Sequence, residues 1–373
     1  MIKWSDKKIK EFRVTLLNWY DANCRDLPWR QDHEPYHIWV SEIMLQQTQV
    51  ATVIPYYQRF MKQFPTIEAL AQAPEDQLLK AWEGLGYYSR VRNMQRAAQQ
   101  LLADYDGQWP QTKAELQELV GIGPYTAGAI ASIAFNQPEP AVDGNAFRVF
   151  SQLLEIEADI TKPQTRGIFE DAIRHIIPAD RPGDFNQAIM DLGASFMTAK
   201  NPDSVHSPVR EFNQAYIDGR VAEFPVRSKR LKPVDKHYFA LVLQTPKGYL
   251  FQQRASNELL AKLWLFPLID TDQLKVENPD LTDDMVIEAA ENKFLADTEI
   301  KADLQFVDAP IVNHTFTHQK WHVTLVSAEL QNQPDLSHFA GQVVPVEKLA
   351  TMAWPTLQKK LWTAYEKRQI KLF

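Results

Sequence analysis

The pattern of apolar residues changes near residue 225, and this change most limits what the chain can fold into. Between residue 6 and about residue 215, apolar residues recur at intervals of three and four, with proline, aspartate and glycine between the segments, which predicts helices. Farther along, HYFALVLQT, GYLFQQR and HQKWHVTLVSAEL alternate or run apolar over short lengths, as strands do. A chain of 373 residues is long enough for two domains. We therefore predict an all-α domain over residues 1–224, a basic linker over 225–236 and a mixed α/β domain over 237–373.

Composition excludes several classes of protein. A single cysteine, Cys24, excludes an intramolecular disulfide framework and a thiolate-held metal cluster. No segment approaches the roughly 18 apolar residues of a membrane helix, and MIKWSDKKIKEF lacks the apolar core of a signal peptide. We therefore expect no membrane partner and a cytoplasmic, bacterial-type location. The net charge of −7 excludes coating of polyanions by bulk charge, so nucleic-acid binding needs a local basic surface.

The segment SEIMLQQTQV, which begins at residue 41, places a carboxylate among apolar residues. Trp39, Ile43 and Met44 surround Glu42 in the sequence. Burial among such side chains destabilises the charged form of a carboxyl group and raises its pKa, so that Glu42 can hold a proton near neutrality. A glutamate on a solvated helix face is the alternative, and it is the commoner arrangement for glutamate in general.

Two further segments predict helix starts with chemical uses. In GIGPYTAGAI, a glycine turn precedes a proline at the first helical position, and the free amides of such a helix suit phosphate; many turns of this kind only connect helices. In VDGNAFRV, Asp143 stands where aspartate caps a helix. We expect capping to lower the pKa of Asp143, although capping alone would also explain the residue. A protonated Glu42 beside an ionised Asp143 is a pair suited to cleaving glycosidic bonds.

Taken together, the motifs resemble those of the adenine DNA glycosylases, the MutY family. LPWR, SEIMLQQTQV, WEGLGYYSR, GIGPYTAGAI, VDGNAFRV and FNQAIMDLGA follow the family's order and spacing. The resemblance implies an α+β multidomain protein, in which an all-α helix-hairpin-helix glycosylase domain precedes a Nudix-like α/β domain. It implies base flipping of adenine paired with 8-oxoguanine or guanine and hydrolysis of the N-glycosidic bond in base excision repair. The implied partner is double-stranded DNA containing an adenine mispair, and we expect a monomer.

The resemblance also implies roles for individual residues. Glu42 would protonate the adenine ring, and Asp143 would stabilise the oxocarbenium ion, directly or through a transient covalent bond. Tyr125 and Asn145 would support the two carboxylates. Because a tyrosine stands where strand-cleaving relatives carry a lysine, we predict a monofunctional enzyme that leaves an abasic site. The residues implied to bind DNA are Trp29, Arg30, Gln47, Thr48, Tyr87, Gly121, Gly123 and Gln187, with core packing as the alternative for Tyr87 and Tyr88.

The second domain resembles the Nudix-like domain with which these glycosylases recognise 8-oxoguanine. LLAKLWLFP and HTFTHQKWHV carry this resemblance. Phe316 would wedge beside the oxidised base while Thr317 and His318 hydrogen-bond to it or to its backbone; an edge-strand turn with a buried phenylalanine is the alternative. The acidic array that binds magnesium in Nudix hydrolases is missing from DDMVIEAAENKFLA, so we do not expect nucleotide hydrolysis.

One segment departs from the family pattern. Most members hold a [4Fe–4S] cluster with four cysteines spaced C-x6-C-x2-C-x5-C, and here that spacing falls on Met197, Ser204, Ser207 and Asn213. Since none of these is a thiolate, we predict no cluster, no other metal and a segment held by packing. Three other functions stay open: a lesion-binding protein without catalysis, a glycosylase of this fold for another mispaired base, and a Nudix hydrolase with a helical appendage.

Overall fold

The chain forms two compact units. The structure is a computed structural model that describes residues 4–229 and 232–371. The first unit contains residues 4–74 and 89–229, and the second contains residues 75–88 and 232–371.

Helices make up most of the first part of the chain, as the residue pattern predicts. Short 3-10 helices span Pro28–Arg30, Arg210–Phe212 and Val221–Glu223. Within the described ranges, no helix is both long and apolar enough to cross a bilayer. In chain order the α-helices are α1 (Asp6–Asn23), α2 (Pro35–Leu45), α3 (Val50–Gln63), α4 (Ile67–Ala71), α5 (Glu75–Ala81), α6 (Ser89–Asp104), α7 (Lys113–Leu116), α8 (Pro124–Phe135), α9 (Gly144–Leu154), α10 (Thr165–Ile176), α11 (Pro182–Ser195) and α12 (Gln214–Ile217).

Helix α2 is buried along most of its length. Trp39, Ile43, Met44 and even Glu42 are buried, and a helix that is apolar all round belongs in a protein interior. It packs against α8, which is built largely of alanine, glycine and isoleucine. The small residues of α8 bring the backbone close to its neighbours: a Cβ atom on Gly128 would lie 2.3 Å from a backbone carbonyl oxygen.

A cluster of buried apolar side chains joins α1, α9, α10 and α11. Its members include Phe12, Phe150, Phe169 and Phe185, all without exposed surface. Burying each such ring contributes about 2–3 kcal/mol, so this cluster fixes α9 and α11 firmly. The start of α9 and one face of α11 contribute residues to the candidate site described below.

The hairpin between α7 and α8 follows the predicted turn chemistry. Thr112 and Glu115 form a capping box at the start of α7. Gly121 has a φ of +80°, a left-handed conformation that favours glycine, and a Cβ atom there would lie 2.7 Å from Cβ of Asn93. Gly123 caps α8, and Pro124 occupies its first position. The glycines and the proline of this turn therefore determine its backbone conformation.

The second unit is built on a mixed sheet, which confirms the predicted fold class. In the described part of the chain, eight strands form this sheet in the order β3-β2-β1-β7-β5, with β4 beside β1, β6 beside β7 and β8 beside β2. The parallel pairing of β1 with β7 joins the two longest strands. The elements are β1 (Val234–Thr245), β2 (Gly248–Gln253), β3 (Trp264–Leu265), β4 (Leu268–Asp270), α13 (Thr271–Glu277), α14 (Val286–Thr298), β5 (Gln305–Phe306), β6 (Val312–Thr315), β7 (Gln319–Glu329), β8 (Gly341–Val344) and α15 (Thr356–Lys371).

The two faces of this sheet bury different side chains. Leu250 of β2 packs with residues of β1, α13 and α14, while Phe251 stacks on Phe266 with ring centroids 5.1 Å apart. Successive residues of a strand point to opposite faces, so α13 and α14 cover one face and an aromatic cluster covers the other. Trp362 of α15 belongs to that aromatic cluster, since its ring centroid lies 6.0 Å from that of Phe266.

Two features of the predicted domain division need correction. Residues 75–88 fold with the second unit because Lys80 donates to the carbonyl of Met352 (2.8 Å) and the amide of Trp354 donates to Glu83 (3.0 Å). The predicted linker over 225–236 is also too long, because β1 begins at Val234 and pairs with β7 from that residue onward. Residues 230 and 231 of that linker lie outside the described residues.

Candidate active site

A cavity of about 790 Å³ in the first unit brings most of the predicted site residues together. Its walls come from α2, α8, α11, the start of α9 and the Pro28–Arg30 turn. Such a volume lies within the range of small-molecule sites. The predicted residues that line it are Trp29, Arg30, Glu42, Gln47, Thr48, Tyr125, Asp143, Asn145 and Gln187.

Glu42 is buried, with 5% of its surface exposed. The hydroxyl of Tyr125, the second residue of α8, donates a hydrogen bond to its carboxylate. Burial raises the pKa of Glu42 to about 7; the Tyr125 hydrogen bond opposes this, Asp143 adds to it, and Arg30 opposes it. A carboxyl group with such a pKa can hold a proton near neutrality, which is the property that its apolar neighbours in the sequence predict.

Asp143 caps α9, as predicted. One carboxylate oxygen accepts from the amides of Asn145 (2.9 Å) and Ala146 (2.8 Å), and the other accepts from the side-chain amide of Asn145 (2.7 Å). The predicted direction of its pKa is wrong, however. Burial raises the pKa of Asp143 above its usual value, although these hydrogen bonds and the charge of Arg148 oppose the shift. Capping was a local signal, whereas the burial that outweighs it depends on tertiary structure.

Arg148 holds Asn145 in place. Its guanidinium donates to Oδ1 of Asn145 (2.5 Å) and to the backbone carbonyls of Gly193 (3.0 Å) and Met197 (3.1 Å). A Cβ atom on Gly193 would lie 2.7 Å from Cβ of Asn145, so only glycine fits there without movement. Sequence reasoning missed Arg148, although it lies in the VDGNAFRV motif one helical turn from Asn145.

Arg30 lies in a buried ion pair that sequence reasoning also missed. Its two terminal nitrogens donate to the two oxygens of Asp191, at 2.8 and 3.0 Å. Arg25 donates to the same carboxylate. The available signal was the single charged residue in the otherwise uncharged stretch that follows Phe185 on α11.

The other predicted DNA contacts of the first unit differ in exposure. Gln47 is exposed at the turn that follows α2, with a φ of +60°. Trp29 is buried, and its ring centroid lies 5.4 Å from that of Tyr57, so its larger part packs inside. Gly121 and Gly123 lie on the hairpin turn and do not line the cavity.

The remaining predicted residues lie in the second unit. Tyr88 is buried, whereas Tyr87 is 51% exposed and adopts a left-handed φ of +46°. The hydroxyls of Tyr87 and Thr317 are 3.1 Å apart, within hydrogen-bonding distance. The sequence predicts that one of the two tyrosines packs inside, and the structure places Tyr88 there.

The residues Phe316, Thr317 and His318 form the turn between β6 and β7, here named the recognition loop. The Phe316 amide donates to the carbonyl of Gln319 (2.7 Å), which closes the turn. The Phe316 ring is half-buried, with its centroid 4.8 Å from that of Trp321, while Thr317 and His318 are exposed. The loop therefore presents a supported ring beside two exposed polar side chains.

The four positions of the family's cluster ligands do not fit an iron–sulfur cluster. Met197 packs in the apolar cluster of the first unit, and Asn213 caps α12 and donates to Gln152 (3.3 Å). Ser204 and Ser207 are buried hydroxyls. A thioether, two hydroxyls and an amide supply none of the thiolates that such a cluster requires.

Comparisons with known proteins agree with this architecture. A family model described as "HhH-GPD superfamily base excision DNA repair protein" matches residues 40–175, and a NUDIX domain model matches residues 238–364. A solved structure described as a thermostable thymine-DNA glycosylase is similar to the helical part, with a TM-score of 0.52 and 25% identity, covering 57% of this chain and 98% of that one. The fold and the site thus define a helix-hairpin-helix DNA glycosylase with a Nudix-like domain.

Named relatives narrow the class to one family. Adenine DNA glycosylase of Rattus norvegicus is 33% identical over 97% of this chain and 79% of its own length. Adenine DNA glycosylase of Buchnera aphidicola subsp. Baizongia pistaciae is 39% identical over 69% of this chain and 73% of its own. The chain belongs to the adenine DNA glycosylase family.

Proposed function

We propose that this protein is a monofunctional adenine DNA glycosylase that removes adenine mispaired with 8-oxoguanine or guanine and leaves an abasic site. The observation that carries this proposal is the pairing of Glu42 with Asp143 in one cavity, the first buried with its pKa near 7 and the second held by three hydrogen bonds. The matched relatives named adenine DNA glycosylase support adenine as the base.

In the proposed reaction, Glu42 donates its proton to a ring nitrogen of the flipped adenine. The C1′–N9 bond then breaks, and its electron pair leaves with the base. The carboxylate of Asp143 stabilises the positive charge that develops on the sugar. Water attacks C1′ and its proton returns to Glu42, so that the carboxyl group is restored for the next cycle.

The supporting residues act through these two carboxyl groups. Tyr125 orients Glu42, and Asn145 orients Asp143. Tyr125 has no amine, so no Schiff base forms at this position and the DNA strand stays intact. Gln187 and Arg30 line the pocket for the base, with Trp29 and Thr48 at its wall.

Base flipping requires groups that replace lost stacking, which costs a few kcal/mol. Gln47 and Tyr87 are exposed and strained in backbone conformation, as wedge residues can be. The exposed turn with Gly121 and Gly123 offers backbone amides to a phosphate. In the second unit, we assign recognition of 8-oxoguanine to Phe316, Thr317 and His318.

We further propose that the protein works as a monomer. We also propose that it holds no iron–sulfur cluster, since Met197, Ser204, Ser207 and Asn213 offer no thiolate. The purified protein is expected to contain no iron and to show no sulfide-to-iron charge-transfer absorbance. Iron in a stoichiometric amount would contradict this. Size-exclusion chromatography with light scattering measures the oligomeric state.

The test of function uses duplexes with adenine opposite 8-oxoguanine, guanine or thymine, and a duplex with thymine opposite guanine. Strand breaks are expected only after alkali and only where adenine faces 8-oxoguanine or guanine. Tight binding with intact adenine would support a lesion binder instead, and release of thymine would support a glycosylase for another base. Strand breaks without alkali would contradict monofunctional cleavage.

A further inference from the structure

Asp191 is a buried carboxylate shared by two arginines. Its side chain is 3% exposed and lies on α11. Arg30 donates to both of its oxygens (2.8 and 3.0 Å), and Arg25 donates through Nε to Oδ1 (2.9 Å). Arg30 and Asp191 thus form a bidentate pair, in which the guanidinium has little freedom to rotate.

This cluster carries a net positive charge beside the candidate active site. Arg25 and Arg30 both line the cavity that contains Glu42, whereas Asp191 does not. Burial alone would raise the pKa of Asp191, but the hydrogen bonds and charges of Arg30 and Arg25 hold it below its usual value. Asp191 is therefore ionised at neutral pH, and it offsets one of two guanidinium charges.

Glu42 is surrounded by three groups that act on its charge. Tyr125 on α8 donates a hydrogen bond to it, which lowers its pKa; Asp143 at the start of α9 raises that pKa, and the positive charge of Arg30 in the Pro28–Arg30 turn lowers it. Positive charge favours the carboxylate over the carboxylic acid. Any change in the charge or position of Arg30 therefore changes how much Glu42 is protonated.

We propose that Asp191 is a positioning residue for adenine excision, which holds Arg30 at the cavity wall and offsets the positive charge that faces Glu42. This inference rests on the proposed function. Without Asp191, the charges of the two arginines would be uncompensated at the cavity wall, and Arg30 would lose the paired hydrogen bonds that fix its orientation. With Asp191 but without Arg25, the carboxylate would balance Arg30 alone.

The experiment therefore uses two variants with opposite expected effects. Single-turnover excision of adenine opposite 8-oxoguanine is measured from pH 5 to pH 9. In Asp191→Asn, the alkaline limb of the rate profile is expected about half a pH unit or more below that of the wild type, because the acid form of Glu42 is lost earlier. In Arg25→Gln, the limb is expected to move to higher pH.

Two controls separate positioning from general stability. Asp184 lies on the same helix and pairs with Arg181 at a more exposed place, so Asp184→Asn is expected to leave the limb unchanged. Asp191→Glu keeps the charge and is expected to restore the limb toward the wild-type pH even where the rate stays low. If Asp191 had only a structural role, its replacement would lower the melting temperature and leave the alkaline limb of the pH–rate profile at the wild-type pH.

A second readout keeps the inference testable without catalysis. The titration of Glu42 is followed by NMR of protein carrying ¹³C-labelled glutamate side chains, with Glu42→Gln to assign the resonance. Inactive wild-type protein would overturn the proposed function and the role in excision that rests on it, whereas shifts of opposite sign in this titration would still show that Asp191 controls the charge that acts on Glu42. If Asp191→Asn does not fold, Arg25→Gln decides. If the folded variants show the same alkaline limb of the rate profile and the same titration of Glu42 as the wild type, the role of Asp191 is overturned.

Discussion

The two units present their candidate functional groups in contrasting ways. In the first unit, Glu42 and Asp143 are held on helices, with hydrogen bonds from Tyr125 and Asn145. In the second, the recognition loop is a turn whose Thr317 is exposed. Rigid, buried groups suit bond breaking, because their pKa values and geometry are set before substrate arrives, whereas an exposed loop suits recognition. The contrast predicts that substitutions in the cavity affect rate or folding, while substitutions in the loop affect the choice of substrate.

The largest effect is expected for Glu42→Gln. An amide cannot donate the proton that the leaving base needs, so the single-turnover rate should fall by about a thousandfold or more. Binding of the duplex, measured by fluorescence anisotropy, should change little. The matched control is Glu11→Gln, which alters an exposed glutamate of α1 and should retain the wild-type rate. A rate within tenfold of the wild type for Glu42→Gln would remove the acid from the account.

The next effect tests how tightly the cavity wall is packed. A methyl group on Gly193 would meet Asn145, so Gly193→Ala is expected to lower the free energy of unfolding by about 1–3 kcal/mol. Gly167 lies within α10 with open space around it, so Gly167→Ala is expected to stabilise the protein by about 0.5–1 kcal/mol. Chemical denaturation measures both, and equal effects of the two would contradict the close packing.

A smaller and more selective effect is expected for Phe316→Ala. A lost base–aromatic contact is worth about 1–3 kcal/mol, so the preference for adenine opposite 8-oxoguanine over adenine opposite guanine should fall by about tenfold. Excision opposite guanine should stay near the wild-type rate. A loss of rate on both duplexes alike would show that the recognition loop supports catalysis and does not discriminate.

The smallest effect is expected for Thr317→Ser, which keeps the hydroxyl within reach of Tyr87 and should change the preference by less than about twofold. Thr317→Val removes the hydroxyl at nearly equal volume. In the valine variant, the preference for adenine opposite 8-oxoguanine over adenine opposite guanine should fall more than in the serine variant. Competition between the two duplexes measures both values, and a serine variant as poor as the valine variant would contradict a role for the hydroxyl.

Local patterns predicted what depends on neighbours in sequence. The helices, the strands of the second unit, the hairpin with Gly121 and the cap by Asp143 follow from periodicity and turn chemistry. The burial of Glu42 was also visible, because apolar residues flank it in the chain. These features need no knowledge of distant segments.

Features that depend on distant segments were not predictable. Asp191 meets Arg25 and Arg30 across more than 160 positions of sequence, and residues 75–88 join a unit whose other residues begin beyond 229. The raised pKa of Asp143 has the same origin, because its burial comes from the packing of several helices. Sequence patterns identified the groups, but only the fold shows which charges act on them.

The most direct test of the central claim is the pH dependence of single-turnover adenine excision by the wild-type protein. Because burial raises the pKa of Glu42 to about 7, its acid form is present below that pH and is lost above it. The rate should therefore be nearly constant below about pH 6, reach about half of that value near pH 7 and fall about tenfold per unit well above pH 7. A rate that stays constant to pH 9 would contradict a protonated Glu42 as the proton donor.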